Sequence, residues 1–187
     1  AIAILLGNIQ TYINFYHSRQ DMEIKEALEK LNKSKEFKEW KQKNAGTFFS
    51  YALKIIEENR EQPWNIGFYR KSTDKVVTFI VDEKIDIREE EEIFKDPDTK
   101  IKPIETKKTK IPFSDILEKV KKFTDKTYPN ELINKTIAIL QNLEKYGTVW
   151  NITHITHSFN TINIKASPED GKILYNNIES IMGLIKK

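Results

Sequence analysis

The tripeptide Trp-Asn-Ile occurs twice in this chain, in PWNIGFY (residues 63–69) and in VWNITHIT (residues 149–156). In the first copy large apolar side chains alternate with small or polar ones, as in a β-strand with one buried face, and the second copy begins in the same way. A run with helical spacing comes before each copy and a second strand-like run comes after it. The repeated order indicates two similar units, each built from a helix followed by a β-hairpin.

The composition is that of a globular chain with a densely charged surface. Of the 187 residues, 39% are hydrophobic and 32% are charged, so a real hydrophobic core can form. Lys and Arg number 31 and Asp and Glu number 28, which gives a formal net charge of only +3. Because nucleic-acid binding needs a concentrated basic face, we expect no nucleic-acid partner. The absence of cysteine excludes disulfides and thiolate chemistry.

The region before the first tripeptide is predicted to be helical. Within MEIKEALEKLNK, residues 22–33, apolar residues recur every three or four positions and form one stripe. Ser34 is placed to cap a second helix, which would end near Asn44-Ala45-Gly46. The apolar residues of 47–59 also keep helical spacing, and they predict a third helix that ends before the tripeptide.

A hairpin and a charged connector follow. Residues 64–70 and the β-branched, aromatic run 76–82 are separated by turn residues, which predicts that the two segments pair. Residues 83–112 are charged and interrupted by proline, and they are interpreted as a connector with short strands around 85–87 and 101–104.

The second unit repeats this order. Its predicted elements are helices over 114–126, 131–146 and 176–186 and strands over 148–157, 161–166 and 172–174. The turn Ser167–Gly171 separates the last two strands.

These elements predict an α+β fold, with helices packed on an antiparallel sheet that is built from two helix–hairpin pseudo-repeats. The domain prediction is an N-terminal helical segment over 1–33, the first unit with its connector over 34–112, and the second unit with a C-terminal helix over 113–187. From residue 34 onward we expect one compact domain. A lone hairpin cannot bury a face, whereas two hairpins joined into one sheet under helices can.

The N-terminal segment AIAILLGNIQTYINFYH, residues 1–17, has three open interpretations. It could be the start of a buried helix, the mature end left by signal-peptide removal, or the remnant of a cut chain. The apolar run Ala1–Leu6 is too short to span a bilayer. A membrane tether upstream of residue 1 fits the second interpretation.

His154 and His157 invite a metal-site interpretation, because histidine is a frequent metal ligand. Strand geometry argues against it, since residues three positions apart point to opposite faces of a sheet. The sequence contains neither a glycine-rich phosphate loop nor a serine nucleophile elbow. We therefore expect no metal, no cofactor and no catalytic residue, and the chain is predicted not to be an enzyme.

The singled-out residues receive structural or interaction roles. Trp64 and Trp150 are predicted to be buried anchors where each helix meets the sheet. The candidate interaction residues, placed on the sheet face or its edges, are Tyr69, His154 and His157.

The second unit resembles the PepSY family of small prokaryotic extracytoplasmic domains. The resemblance lies in a helix, the Trp-bearing strand VWNITHIT, and INIKASPEDGKIL, in which a second strand runs into a turn at Gly171 and then a third strand. PepSY repeats commonly end in a valine/isoleucine–Asp–Ala–x–Thr–Gly pattern, and here Ile164-Lys165-Ala166 leads to Gly171. Gly171 is accordingly a predicted structural anchor. The resemblance implies a module outside the cytoplasm that regulates peptidases or contacts other proteins.

Two functions follow from these observations. The first is a non-enzymatic, extracytoplasmic protein-binding or regulatory module. The alternative is a surface or filament subunit that assembles with copies of itself, because an apolar N-terminal segment on a hydrophilic body can be donated to a neighbouring subunit.

Overall fold

The computed structural model describes residues 22–58, 60–92 and 99–181. The helices of this part of the chain are α1 (Ile24–Lys33), α2 (Lys35–Lys43), a short 3₁₀ helix (Thr106–Lys108) and α3 (Phe113–Thr127). Its strands are β1 (Thr47–Glu57), β2 (Arg60–Glu61), β3 (Trp64–Arg70), β4 (Lys75–Val81), β5 (Ile85–Glu92), β6 (Ile133–Leu143), β7 (Gly147–Thr156), β8 (Asn160–Ala166) and β9 (Ile173–Ser180).

The strands form one antiparallel sheet in the order β5-β4-β3-β1-β6-β7-β8-β9, with the short β2 paired to β1. β1 and β6 are both 11 residues long and lie side by side at the centre. The strands that follow β1 in sequence extend the sheet on one side, and those that follow β6 extend it on the other. The predicted α+β class, with helices on an antiparallel sheet, is confirmed.

Side-chain oxygens accept hydrogen bonds from backbone N–H groups at the starts of α2 and α3. The Ser34 side chain accepts a hydrogen bond of 3.2 Å from the Phe37 N–H and caps α2, as the sequence predicts. The carboxylate of Glu23 reaches across the fold and accepts hydrogen bonds from the N–H groups of Phe113 and Ser114, at 2.6 and 3.1 Å. These are free donors of the first turn of α3, so Glu23 ties the start of α1 to the start of α3.

The three α-helices pack on one face of the sheet, which we call the helix face. Each contributes buried apolar side chains to a single core with the strands, including Ala27, Leu31, Phe37, Ile116 and Val120. Burial of this apolar surface is the main stabilising contribution to a two-layer fold of this kind. The described helices are not long and apolar enough for any of them to cross a membrane.

Three predicted helices are wrong: residues 47–57 form β1, residues 133–143 form β6, and residues 173–180 form β9. β1 and β6 are central strands with apolar side chains on both faces, so the period of two that marks a half-buried strand is obscured. For β9, pairing with β8 along Asn160–Ala166 decides the conformation. The predicted short strand over 101–104 is also wrong, although Ile104 donates a backbone hydrogen bond to Phe49.

Other predicted elements are confirmed within a few residues. The hairpin of β3 and β4, the helix α3, and the strands β7 and β8 match the predictions, and β5 is longer than expected. The predicted N-terminal helical segment is helical over Ile24–Lys33, and residues 1–21 lie outside the described part of the chain. The remainder of the predicted C-terminal helix, residues 182–186, also lies outside it.

Candidate functional site

The face of the sheet opposite the helices, which we call the open face, carries the candidate site. Strand alternation and the pairing register assign its residues, because directly paired residues lie on the same face. One cross-strand row consists of Leu53, Ile139, Asn151, Lys165 and Tyr175. The next row consists of Ile55, Ile137, Thr153, Asn163 and Asn177. Each row is apolar at the centre of the sheet and polar toward β9.

A hydrogen-bonded group of polar side chains occupies the middle of β7 and β8. The amide of Asn163 donates to Asn151 Oδ1 at 2.8 Å and to Thr153 Oγ1 at 3.1 Å. The ammonium of Lys165 donates to Asn163 Oδ1 at 2.7 Å. We call Asn151, Thr153, Asn163 and Lys165 the amide cluster. Because its members hold one another in place, they present fixed donors and acceptors to anything that docks on the face.

Two tyrosines flank the cluster. Lys165 Nζ lies 4.0 Å from the ring centroid of Tyr175 and 5.7 Å from that of Tyr146, a cation–π geometry with both rings. Burial, and secondarily the charge of Lys145, lowers the pKa of the Lys165 ammonium. This cation is thus positioned by aromatic and amide neighbours, and Tyr175 remains 37% exposed on the edge strand.

A shallow cavity of about 180 Å³ lies at the β8–β9 end of the open face. It is lined by Thr161, Asn163, Tyr175, Asn177 and Glu179. Asn177 donates its amide N–H to Glu179 Oε1 at 2.8 Å. Ligand pockets for drug-sized molecules typically enclose about 300–1,000 Å³, so this cavity is small for such a ligand.

The first half of the same face is closed by the chain itself. The Tyr51 ring lies across Gly67, so that a Cβ on Gly67 would lie 2.1 Å from Tyr51 Cε1. The Tyr51 hydroxyl forms a 2.7 Å hydrogen bond with Thr78 Oγ1. Tyr69 is buried beside Phe48, with ring centroids 5.4 Å apart. Over β7, β8 and β9 the open face has half-buried Asn163 and Lys165 and exposed Tyr175 and Glu179, whereas Thr153 is buried.

The predicted interaction residues lie in three separate places. Tyr69 is on the open face but buried, and its hydroxyl donates to Asp74 Oδ1 at 2.6 Å. Burial and this carboxylate raise the pKa of Tyr69 to about 12, so the phenol stays protonated. His154 is buried on the helix face, and His157 is exposed in the turn after β7. The structure therefore does not bring these three residues together.

His154 is a titratable group in the core. Its Nδ1 forms a 2.8 Å hydrogen bond with Thr136 Oγ1, and no described group bonds to Nε2. Burial lowers its pKa to about 4, because the charged imidazolium is poorly solvated there. Trp150, Ile152 and His154 share the helix face, and His157 does not lie in the strand. The described residues contain no group of three His, Asp or Glu side chains that could hold a metal ion.

The two tryptophans meet at the junction of the two halves. Trp64 and Trp150 are fully buried, their ring centroids lie 6.1 Å apart, and Phe113 of α3 contacts both rings. Trp64 Nε1 donates to the Met22 carbonyl at 2.7 Å. Gly171 adopts φ +75° in the β8–β9 turn, and a Cβ there would lie 2.3 Å from Lys119 Cδ of α3. These three residues are packed in the interior of the protein.

Sequence reasoning missed the amide cluster. Asn151 lies within the repeated tripeptide, and Asn163 and Lys165 alternate with apolar residues in NTINIKA. That alternation marks their common face, but only the register of β7 with β8 shows that Asn163 lies opposite Thr153 and Lys165 lies opposite Asn151.

Comparisons with known proteins provide a structural neighbour and no family. No protein-family model matches the sequence, and no curated protein does. A crystal structure of a "putative lipoprotein" from Clostridium difficile 630 is similar, with a TM-score of 0.52. The sequence identity is 12%, and the match covers 86% of this chain and 96% of that chain. At this identity the likeness shows a shared fold.

Proposed function

We propose that this protein is a non-enzymatic, extracytoplasmic module that binds another protein with the open face of β7, β8 and β9. The amide cluster is the observation that carries the proposal. Its polar side chains are held by one another on a sheet face over which the described helices do not pack. A partner could use these oriented groups without inducing any rearrangement, which favours binding.

The dimensions and chemistry of this surface suit a protein partner. Five strands, from β1 to β9 across the centre, span roughly 20 Å at the usual strand spacing. Partly buried isoleucines at the centre, amides in the middle and an exposed tyrosine near the edge give an apolar-to-polar gradient. Protein interfaces have this pattern, with an apolar core, a polar rim and enrichment in tyrosine. The small cavity then receives one anchoring side chain of the partner.

The extracytoplasmic location is supported by the neighbouring fold. The similar solved structure is described as a "putative lipoprotein", a class held at a membrane surface by a lipid. A chain without cysteine is compatible with an oxidising compartment, because it needs no disulfide. Regulation of a peptidase, which the PepSY resemblance implies, is part of this proposal.

We also propose that the two halves are pseudo-repeats. Trp64 and Trp150 are separated by the same number of positions as Thr47 and Ile133, the first residues of β1 and β6. In both halves a helical region precedes a set of consecutive antiparallel strands, and the halves meet through β1 and β6. A common ancestral unit accounts for this correspondence.

Affinity capture tests the proposed binding surface. The full chain is immobilised and exposed to the extracytoplasmic fraction of its source, and retained proteins are identified. Asn163→Ala and Tyr175→Ala are expected to reduce retention at least about tenfold, because each removes a central contact. Lys107→Ala, an exposed change on the 3₁₀ helix, is the matched control. Equal retention by all three variants would contradict the proposal.

Self-assembly is the second candidate function, and the edge strand β9 favours it. β9 is eight residues long, lies at the end of the sheet and exposes Leu174 and Tyr175. Exposed edges of this kind can pair with a strand of another copy. Sedimentation analysis of Leu174→Lys tests this, since an edge lysine opposes pairing. A purely monomeric wild-type chain would rule it out. The N-terminal segment, to which the sequence assigns assembly, lies outside the described residues.

A further inference from the structure

An exposed apolar projection lies at the end of the sheet where β6 begins and β8 begins. Leu132 is 70% exposed and Phe159 is 65% exposed, the two highest values among the large apolar side chains of the described residues. Ile133, beside Leu132, is 36% exposed. We call Leu132, Ile133, His157 and Phe159 the tip. It is separate from the open face and from the amide cluster.

Backbone hydrogen bonds bring the tip residues together. His157 N–H donates to the Leu132 carbonyl at 2.9 Å, which joins the two loops. Phe159 N–H donates to the Thr156 carbonyl at 3.1 Å, and Ile181 N–H donates to the Phe159 carbonyl at 2.9 Å. Because these backbone groups are paired within the protein, the tip can enter an apolar phase without leaving them unsatisfied.

The conformation of Phe159 is unfavourable for its residue type. Its φ is +57°, in the left-handed region, which costs a bulky L-residue roughly 1–2 kcal/mol. The corresponding hairpin between β3 and β4 has Asp74 at φ +55°, a residue type that tolerates this region better. Burial of the Phe159 side chain does not offset this backbone cost, because the ring is exposed. An exposed aromatic ring in a strained turn indicates that the ring interacts with something other than this protein.

The chemistry around the tip favours a lipid surface. The loop segments Leu132-Ile133-Asn134 and His157-Ser158-Phe159 contain no acidic residue. The nearby carboxylate of Glu131 is turned to Asn160, whose amide donates to it at 2.8 Å. The projecting side chains of Leu132 and Phe159 are largely exposed, so they can insert into a fluid interface without a preformed pocket.

We infer that the tip is a membrane-contact site, at which Leu132 and Phe159 insert into the interfacial region of a lipid bilayer. This contact does not depend on the protein-binding role of the open face. It would set the orientation of a module held near a membrane, with the strands β6 to β8 pointing end-on toward the lipid.

Vesicle partitioning of the full chain tests the inference. The vesicles are pure phosphatidylcholine and an equal mixture of phosphatidylcholine and phosphatidylglycerol. Wild type is expected to bind both kinds of vesicle, because the inserted side chains are apolar. Leu132→Ser and Phe159→Asn should each reduce the partition coefficient about tenfold, the effect of losing one inserted large apolar side chain. Ile87→Ser, at an apolar residue 45% exposed on the far edge strand β5, is the matched control and should leave it unchanged.

Phe159→Asn also separates membrane contact from folding. Asparagine adopts the left-handed region more readily than phenylalanine, so the variant should have an equal or higher melting temperature while it loses lipid binding. The inference is overturned if wild type does not bind vesicles, or if the control variant loses as much binding as the tip variants. It is also overturned if the tip variants bind vesicles normally and lose only a protein partner.

Discussion

β3 and β7 begin with the same three residues and then diverge. On the helix face, Trp64 and Ile66 of β3 are followed by Phe68, whereas Trp150 and Ile152 of β7 are followed by His154. On the open face, β3 has Gly67 where β7 has Thr153. Phe68 packs in an aromatic group with Phe37, Trp40 and Phe79. His154 instead places a titratable ring in the core, where it is hydrogen-bonded to Thr136.

The divergence on the open face concerns the proposed binding surface. Gly67 leaves room for Tyr51 to lie across the sheet, and this ring closes the first half. Thr153 fills the equivalent space with a hydroxyl that accepts from Asn163. Two equivalent positions therefore differ between the halves, because the pair Tyr51–Gly67 of the first corresponds to the pair Ile137–Thr153 of the second. The proposed binding function therefore depends on the polar side chains of the open face that the second half leaves accessible.

The largest expected effect concerns His154 and pH. Its pKa in the folded protein is lowered to about 4 from the ordinary 6.5, so the unfolded chain binds the proton more readily. The free energy of unfolding should therefore fall as pH falls below about 6.5, by about 3 kcal/mol in total, and this contribution should level off below about pH 4. His154→Asn can keep the hydrogen bond to Thr136 but cannot titrate.

Urea unfolding at several pH values between about 7 and 4 measures this effect. The difference in unfolding free energy between wild type and His154→Asn should change across that window, because other titrating groups cancel. His157→Asn, in the exposed turn, is the control and should follow the wild-type curve. Parallel curves of unfolding free energy against pH for wild type and His154→Asn would show that protonation of the buried ring does not destabilise the folded protein.

The next effect concerns Gly67. Gly67→Thr gives β3 the residue of β7 and forces its side chain into the Tyr51 ring, which should destabilise the protein by about 2–3 kcal/mol. Replacing Tyr51 by Ser in the same chain should restore part of the loss. The reciprocal Thr153→Gly should cost only about 1 kcal/mol, mainly through strand entropy. Thermal and urea unfolding check all three variants. Equal losses of stability for Gly67→Thr and Thr153→Gly would contradict the proposed difference between the halves.

The smallest effect compares the two tryptophans. Trp64 Nε1 donates to the Met22 carbonyl, whereas no described group accepts from the buried Trp150 Nε1. Trp64→Phe should therefore destabilise the protein by about 1 kcal/mol more than Trp150→Phe, since it leaves a carbonyl without its donor. Urea midpoints at neutral pH measure the difference. A larger loss from Trp150→Phe would mean that its indole N–H is satisfied after all.

Sequence patterns predict the strands between the centre and the edges of the sheet better than the two central strands. β3, β4, β7 and β8 alternate or are β-branched, and they were predicted with nearly correct bounds. β1 and β6 were predicted as helices because apolar residues on both of their faces imitate helical spacing, for example Leu53 beside Ala52. Only long-range pairing, which no local pattern contains, decides between the two structures.

The candidate site was harder to predict than the fold. The aromatic and histidine residues that draw attention in the sequence, Tyr69 and His154, are buried. The amide cluster consists of ordinary Asn, Thr and Lys residues, which only the register of β7 and β8 brings together. The apolar tip is equally hard to recognise in the sequence, since Leu132 and Phe159 are far apart in the chain. Their loops are joined by the backbone hydrogen bond from His157 N–H to the Leu132 carbonyl.

Site-specific photo-cross-linking tests the difference between the two halves most directly. A photoreactive residue is placed at Asn177, on the open face beside the cavity, or at Ile80, on the same face of the closed half. With the extracytoplasmic fraction present, Asn177 should yield a discrete cross-linked protein and Ile80 should yield little. Cross-linking that is equal at both positions, or stronger at Ile80, would contradict a binding surface confined to the open half.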